Sequence, residues 1–128
     1  MKPNRKAIWT AVAALAVGAA ACKGDSPSEP SGASCATITI ANNTVSPKDV
    51  VVAPGCQVTF VNNDTRSHNM ASDPHPVHTD CPAINSVGLL NAGGASRQTG
   101  NLNTARVCGF HDHDLDTVAG LRGTITIR

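Results

Sequence analysis

From position 37 onward the chain alternates polar and apolar residues in short bursts. Thr37-Ile38-Thr39-Ile40 places apolar side chains two residues apart, the period of a half-buried strand. Val50-Val51-Val52 is a second, β-branched run. Pro54-Gly55 signals a turn, and Gln57-Val58-Thr59-Phe60-Val61 alternates again until Asn62-Asn63-Asp64 ends it. Thr104-Ala105-Arg106-Val107 predicts a short strand before Cys108, and Thr124-Ile125-Thr126-Ile127 repeats the alternation of the first strand. No stretch after residue 33 shows a helical period. Short strands separated by Pro, Gly and Asn turns predict an all-β sandwich. The segment from Ala71 to Asn103 breaks the pattern, and Val87-Gly88-Leu89-Leu90 is its best strand candidate. A long loop in a compact domain is usually functional or disordered, and its two His and one Cys favour function.

The chain begins differently. Three basic residues in Met1–Lys6 precede an apolar run, Ala7 to Ala21, that is short for a bilayer span of about 20 residues. This predicts a secretory signal over residues 1–21. Ala19-Ala20-Ala21-Cys22 resembles a bacterial lipoprotein signal, which implies lipidation of Cys22; plain secretion is the alternative. Residues 22–33 are Ser, Pro and Gly with a few charges, a composition expected of a flexible tether. The folded domain is expected over residues 34–128, with the protein exported to the periplasm or cell surface and anchored to a membrane through Cys22.

Charge excludes one class of partner. Without Lys2, Arg5 and Lys6, seven of the ten basic residues remain against nine acidic ones, so nothing suggests nucleic-acid binding. Aromatics are scarce: the only Phe residues are Phe60 and Phe110, and Tyr is absent. A small core built from Val, Ile, Leu and Ala gains from covalent staples.

All five histidines lie between positions 68 and 113: His68, His75, His78, His111 and His113. Imidazole and thiolate suit copper and zinc, so these residues and Cys108 point to a metal site.

Two motifs then carry a resemblance. Val58-Thr59-Phe60-Val61-Asn62-Asn63-Asp64-Thr65-Arg66-Ser67-His68-Asn69 resembles the strand and polar turn that lead to the first copper-binding His of the plastocyanin/azurin family of cupredoxins. Val107-Cys108-Gly109-Phe110-His111, followed by Gly120-Leu121-Arg122-Gly123-Thr124-Ile125-Thr126-Ile127, is similar to the family's strand, copper-binding Cys, second His and closing strand. The resemblance implies a cupredoxin-like Greek-key β-sandwich with a long metal-site loop. It implies one copper ion, cycling between Cu(I) and Cu(II), on His68, Cys108 and either His111 or His113, with zinc the lesser possibility. Leu121 stands where the family's axial Met is expected, so a weak or absent axial ligand is expected. His75, His78 and Cys81 are additions to the pattern, expected to rim the metal or to bind it.

Setting Cys22 aside leaves Cys35, Cys56, Cys81 and Cys108. In a cupredoxin the strands after Cys35 and Cys56 are parallel neighbours, which implies a Cys35–Cys56 disulfide worth about 3 kcal/mol in the chain-entropy model. Cys81 and Cys108 leave two outcomes. Cys108 binds copper as a thiolate, the favoured expectation, or it pairs with Cys81 and a His-rich type 2 site holds the ion. The expected function is one-electron carriage at the bacterial cell envelope between redox partner proteins. Copper storage, delivery or resistance is the alternative, and an enzyme is not expected.

Overall fold

The computed structural model describes residues 34–128. The signal, the tether and Cys22 lie outside these residues. Nine strands are present among them: β1 (Ser34–Ala41), β2 (Thr44–Ser46), β3 (Asp49–Val52), β4 (Gln57–Asn62), β5 (His68–Ser72), β6 (Gly88–Leu90), β7 (Ala95–Gln98), β8 (Arg106–Asp112) and β9 (Gly123–Ile127). Two 3-10 turns, Pro82–Ser86 and Ala119–Leu121, complete the regular structure.

The strands form two sheets, ordered β2-β1-β4-β7 and β3-β9-β8-β5-β6. Parallel pairs β1/β4 and β3/β9 mix with antiparallel neighbours. The alternation seen in sequence becomes a face. In β4, Val58, Phe60 and Asn62 are buried while Gln57, Thr59 and Val61 are partly exposed. Ile38, Ile40, Val58 and Phe60 of the first sheet meet Met70, Leu90, Phe110 and Ile125 of the second in one core. The two phenylalanines cross edge to face, 5.2 Å between centroids and 88° between planes, a favourable geometry for the quadrupoles of both rings.

Three differences from the sequence expectation shape the site. β8 does not end at Cys108; it runs on to Asp112, pairing with β9 through Phe110 and with β5 from Phe110 to Asp112. The irregular stretch is shorter than expected, because β6, β7 and the Pro82–Ser86 turn order most of residues 82–98. What remains irregular next to the site is residues 73–81, between β5 and that turn. Finally, β5 itself, His-Asn-Met-Ala-Ser, forms without a period-two signal because it is covered on both faces.

Cys35–Cys56 is bridged, with Cα atoms 5.6 Å apart, tying the start of β1 to the residue before β4. Gly123, at the start of β9, permits a close crossing: a Cβ there would collide with the Lys48 carbonyl oxygen and the Phe110 ring.

Candidate metal centre

Strand parity sorts the residues of β8. Cys108, Phe110 and Asp112 face the core, and alternation sends Gly109 and His111 to the outer face of the second sheet. His113 follows directly, its backbone N–H donating to the Asn69 carbonyl at 2.7 Å. The segment 73–81 then folds over this outer face. The Asp73 N–H donates to the Gly109 carbonyl at 3.0 Å, and the Asp80 N–H returns to the Asp73 carbonyl at 2.9 Å. The Cys81 N–H closes the base on Ser72 Oγ at 2.7 Å. The cover is tight enough to bury His111 completely.

Four imidazoles meet under and beside this cover. One ring nitrogen from each of His75, His78, His111 and His113 lies within 4.8 Å of the others. The rings of His78 and His111 stack at 5.1 Å, and those of His75 and His113 lie 5.0 Å apart. This is the one group of three or more potential metal ligands so placed among the described residues.

Neighbouring groups orient the rings. Asp73 Oδ1 accepts from His111 Nδ1 at 2.5 Å, which leaves His111 Nε2 as a bare lone pair. That atom is buried and has no hydrogen-bond partner. An orphaned buried acceptor costs about 1–3 kcal/mol, so it calls for an explanation, and an ion in the midst of the four rings supplies one. The Ser72 carbonyl accepts from His78 Nδ1 at 2.8 Å, so His78 Nε2 is also bare. His113 Nδ1 lies 2.8 Å from that His78 lone pair. His78 adopts a left-handed backbone, φ 52°, uncommon for a non-glycine residue and consistent with a position held by its surroundings. His75 is the most exposed of the four, its Nε2 4.0 Å from Asp116 Oδ2. Burial holds the His111 pKa below its ordinary value, with Asp73 opposing the shift. A neutral imidazole is the form that binds a metal. Gly109 makes the Asp73–His111 contact possible, since a Cβ at that position would occupy the space of the Asp73 carboxylate.

The structure corrects the expected ligand set. Cys108 is bonded to Cys81, with Cα atoms 5.8 Å apart, so neither sulfur is available as a thiolate. The reason is parity: on a continuous strand, a Cys-x-x-His spacing places the two side chains on opposite faces. Cys108 therefore enters the core and His111 leaves it. His68 is also not with the cluster. It is fully buried, with Nδ1 2.6 Å from Asp112 Oδ2 and Nε2 3.2 Å from Asp64 Oδ2, so carboxylates occupy both ring nitrogens. Leu121 is buried in the core and supplies no donor. Of the expected residues, His111 and His113 are brought together, and His75 and His78 join them as full members. What marked them in sequence was the density of histidine in Asp73-Pro74-His75-Pro76-Val77-His78; what was missing was the register that lays this segment over β8.

The donor set fits copper. Four imidazoles suit Cu and Zn alike, and an all-nitrogen set lacks the thiolate of a blue site.

Residues 34–128 match the family described as copper binding proteins, plastocyanin/azurin family, whose members bind copper. Among solved structures, the oxidised plastocyanin of Dryopteris crassirhizoma is similar over 72% of this chain and 99% of its own, at 19% identity and a TM-score of 0.57. A purple cupredoxin from Nitrosopumilus maritimus covers 73% of this chain and 99% of its own, at 20% identity and a TM-score of 0.53. Dithionite-reduced auracyanin from Roseiflexus castenholzii covers 76% and 98%, at 18% identity and a TM-score of 0.56. At such identities these likenesses speak for the fold, a cupredoxin β-sandwich. No curated protein matches the chain by sequence. A sandwich of this topology, matched along its whole described length, places the chain in the plastocyanin/azurin family of copper binding proteins.

Proposed function

We propose that the protein is a one-electron carrier of the bacterial cell envelope whose copper is held by His75, His78, His111 and His113. The observation that carries the site is His111 Nε2, buried, unpartnered and grouped with three further imidazoles. Bound copper supplies a Cu(I)/Cu(II) couple at this position. The chain supplies restraint. Asp73 fixes the His111 ring, the Ser72 carbonyl fixes His78, and the Asn69 carbonyl fixes the backbone of His113. Fixed ligands limit rearrangement when the charge on the ion changes, which suits electron carriage. His75, the one exposed member of the four, offers a partner protein a point of approach.

The envelope setting draws support from the charged and apolar start of the chain, from Cys22 and from two disulfides, which persist in oxidising compartments. A second reading, copper capture and delivery, is favoured by one specific observation. The sulfur expected to bind copper is locked in a disulfide, and the remaining donors are those of a type 2 site.

Titration of the oxidised, metal-free protein with Cu(II) tests the site. One ion is expected to bind, with a type 2 electron paramagnetic resonance signal and no intense thiolate-to-copper band. His111→Ala is expected to abolish binding, while His68→Ala keeps it at reduced stability. An intense visible band, or unchanged binding by His111→Ala, would overturn the assignment. Reversible voltammetry with fast self-exchange then favours carriage; ready transfer of copper to an acceptor chelator favours delivery.

A further inference from the structure

We propose that the Cys81–Cys108 disulfide is a positioning clasp for the four-histidine site. It holds the segment that carries His75 and His78 against the strand that carries His111 and leads into His113. The inference rests on the four-histidine reading and adds to it a residue pair that touches no metal.

The placement is symmetrical in the chain. One arm reads His78-Thr79-Asp80-Cys81 and the other Cys108-Gly109-Phe110-His111, so each sulfur sits three residues from a ligand. The bond therefore joins the two histidine-bearing segments close to their histidines, from the core side. Cys108 enters the core from β8, and Cys81 meets it at the foot of the covering segment; both are buried.

Little else spans the two segments. Most hydrogen bonds of residues 73–81 are local: His78 N–H to the Pro74 carbonyl, Asp80 N–H to the Asp73 carbonyl and Cys81 N–H to Ser72 Oγ. These shape the segment without fastening it to β8. Contacts across to β8 and the residue after it are the two made by Asp73, to Gly109 and His111, the ring-to-ring contact of His78 with His113, and an ion pair between Asp80 and Arg106. That ion pair joins side chains 33% and 45% exposed, where such pairs contribute little. His78 is thus held to His113 by a ring contact alone, and the disulfide is the covalent tie that limits how far the segment carrying His75 and His78 can move from His111 and His113. Ligands ordered before the ion arrives lose less entropy on binding, so the bond raises metal affinity by preorganisation.

The molecule provides its own control. Cys35–Cys56 closes a loop of similar length, 21 residues of separation against 27, and sits in the other sheet between β1 and β4. In the chain-entropy model the two bonds restrain the unfolded chain almost equally. A purely structural role for Cys81–Cys108 therefore predicts equivalent consequences on removing either bond.

The test compares the full chain, the double variant Cys81→Ala/Cys108→Ala and the double variant Cys35→Ala/Cys56→Ala, each well below its unfolding temperature. Two quantities are read: the Cu(II) dissociation constant, by competition with a chelator, and amide hydrogen exchange over residues 73–80 in the metal-free protein. Loss of Cys81–Cys108 is expected to weaken copper binding about ten- to hundredfold, as loss of a ligand-orienting group does, and to speed exchange in 73–80. Loss of Cys35–Cys56 is expected to lower the Tm and leave both readings unchanged. Equal losses of affinity in the two variants, or unchanged affinity without Cys81–Cys108, would sink the clasp. Should Cys81→Ala/Cys108→Ala not fold, two glycines inserted between Asp80 and Cys81 keep the bond and slacken it. Weaker copper binding there supports the clasp, and unchanged binding refutes it. If the unaltered chain binds no copper, the four-histidine reading fails, and the exchange rates of the metal-free proteins alone decide the clasp.

Discussion

Asp73 and Gly109 act as a pair at the scale of single residues. The carboxylate orients His111, and the absence of a side chain at 109 lets it come close enough. Asp73→Ala is expected to weaken Cu(II) binding about ten- to hundredfold while leaving the fold intact. Gly109→Ala is expected to reproduce much of that loss by displacing Asp73, and competition with a chelator measures both. Asp64 is a second case. The Asn43 N–H donates to its carboxylate at 2.8 Å, with Thr65 and His68 adding to the effect, and together they hold its pKa below the ordinary 3.8. A depressed folded-state pKa stabilises the native protein above the unfolded value, and that contribution fades as pH falls through the folded one. Asp64→Asn is therefore expected to be less stable than the unaltered protein near neutral pH. The gap should narrow below pH 3.8, as denaturant midpoints across the pH range would show.

Element by element, the molecule separates packing from chemistry. Inner faces of both sheets make the core, and the outer face of β8 with residues 73–81 makes the proposed metal site. Phe60 lies in the sheet that lacks the ligands, so Phe60→Ala is expected to cost about 3–5 kcal/mol of stability without altering the copper spectrum. Thermal unfolding and electron paramagnetic resonance of the loaded protein check the two halves of that statement. The same separation explains what could be read in the chain. β1, β3, β4 and β9 announced themselves through Thr37–Ile40, Val50–Val52, Gln57–Val61 and Thr124–Ile127, because one buried face leaves a period of two. β5 and β7 carried no such mark: the first is covered on both faces, and the second, Ala95-Ser96-Arg97-Gln98, is an edge strand with polar side chains. Of the site, His111 and His113 were legible from the Cys108 motif. The place of His75 and His78 was not, since it depends on β5 pairing Ala71 with His111, a contact between residues far apart in the chain. The fate of Cys108 was undecided for a similar reason. Whether it faces His111 or the core depends on where β8 stops, and Phe110, one of two large aromatics in the core, carries the strand onward.

For the whole molecule, the fold is one sandwich over residues 34–128, and the proposed envelope location rests on the sequence before it. Lipidation at Cys22 is expected to hold the protein at a membrane. Cys22→Ser, expressed as the full chain in a bacterial host, is expected to move it to the soluble envelope fraction, which fractionation and mass measurement of the mature protein would detect.

The parity of β8 has a further consequence for metal choice. His111 and Asp112 are neighbours that point to opposite sides of one sheet. Shifting the strand's register by one residue exchanges every side chain between its faces. A single insertion between Cys108 and His111 would thus present Asp112 to the outer face in place of His111 and His113. Two nitrogen donors would give way to one oxygen donor, and softer ions would lose ground to harder ones such as magnesium or manganese. On the four-histidine proposal, metal choice is accordingly a matter of alignment as much as of composition. The histidines are in the chain whatever its register, but only one register gathers them.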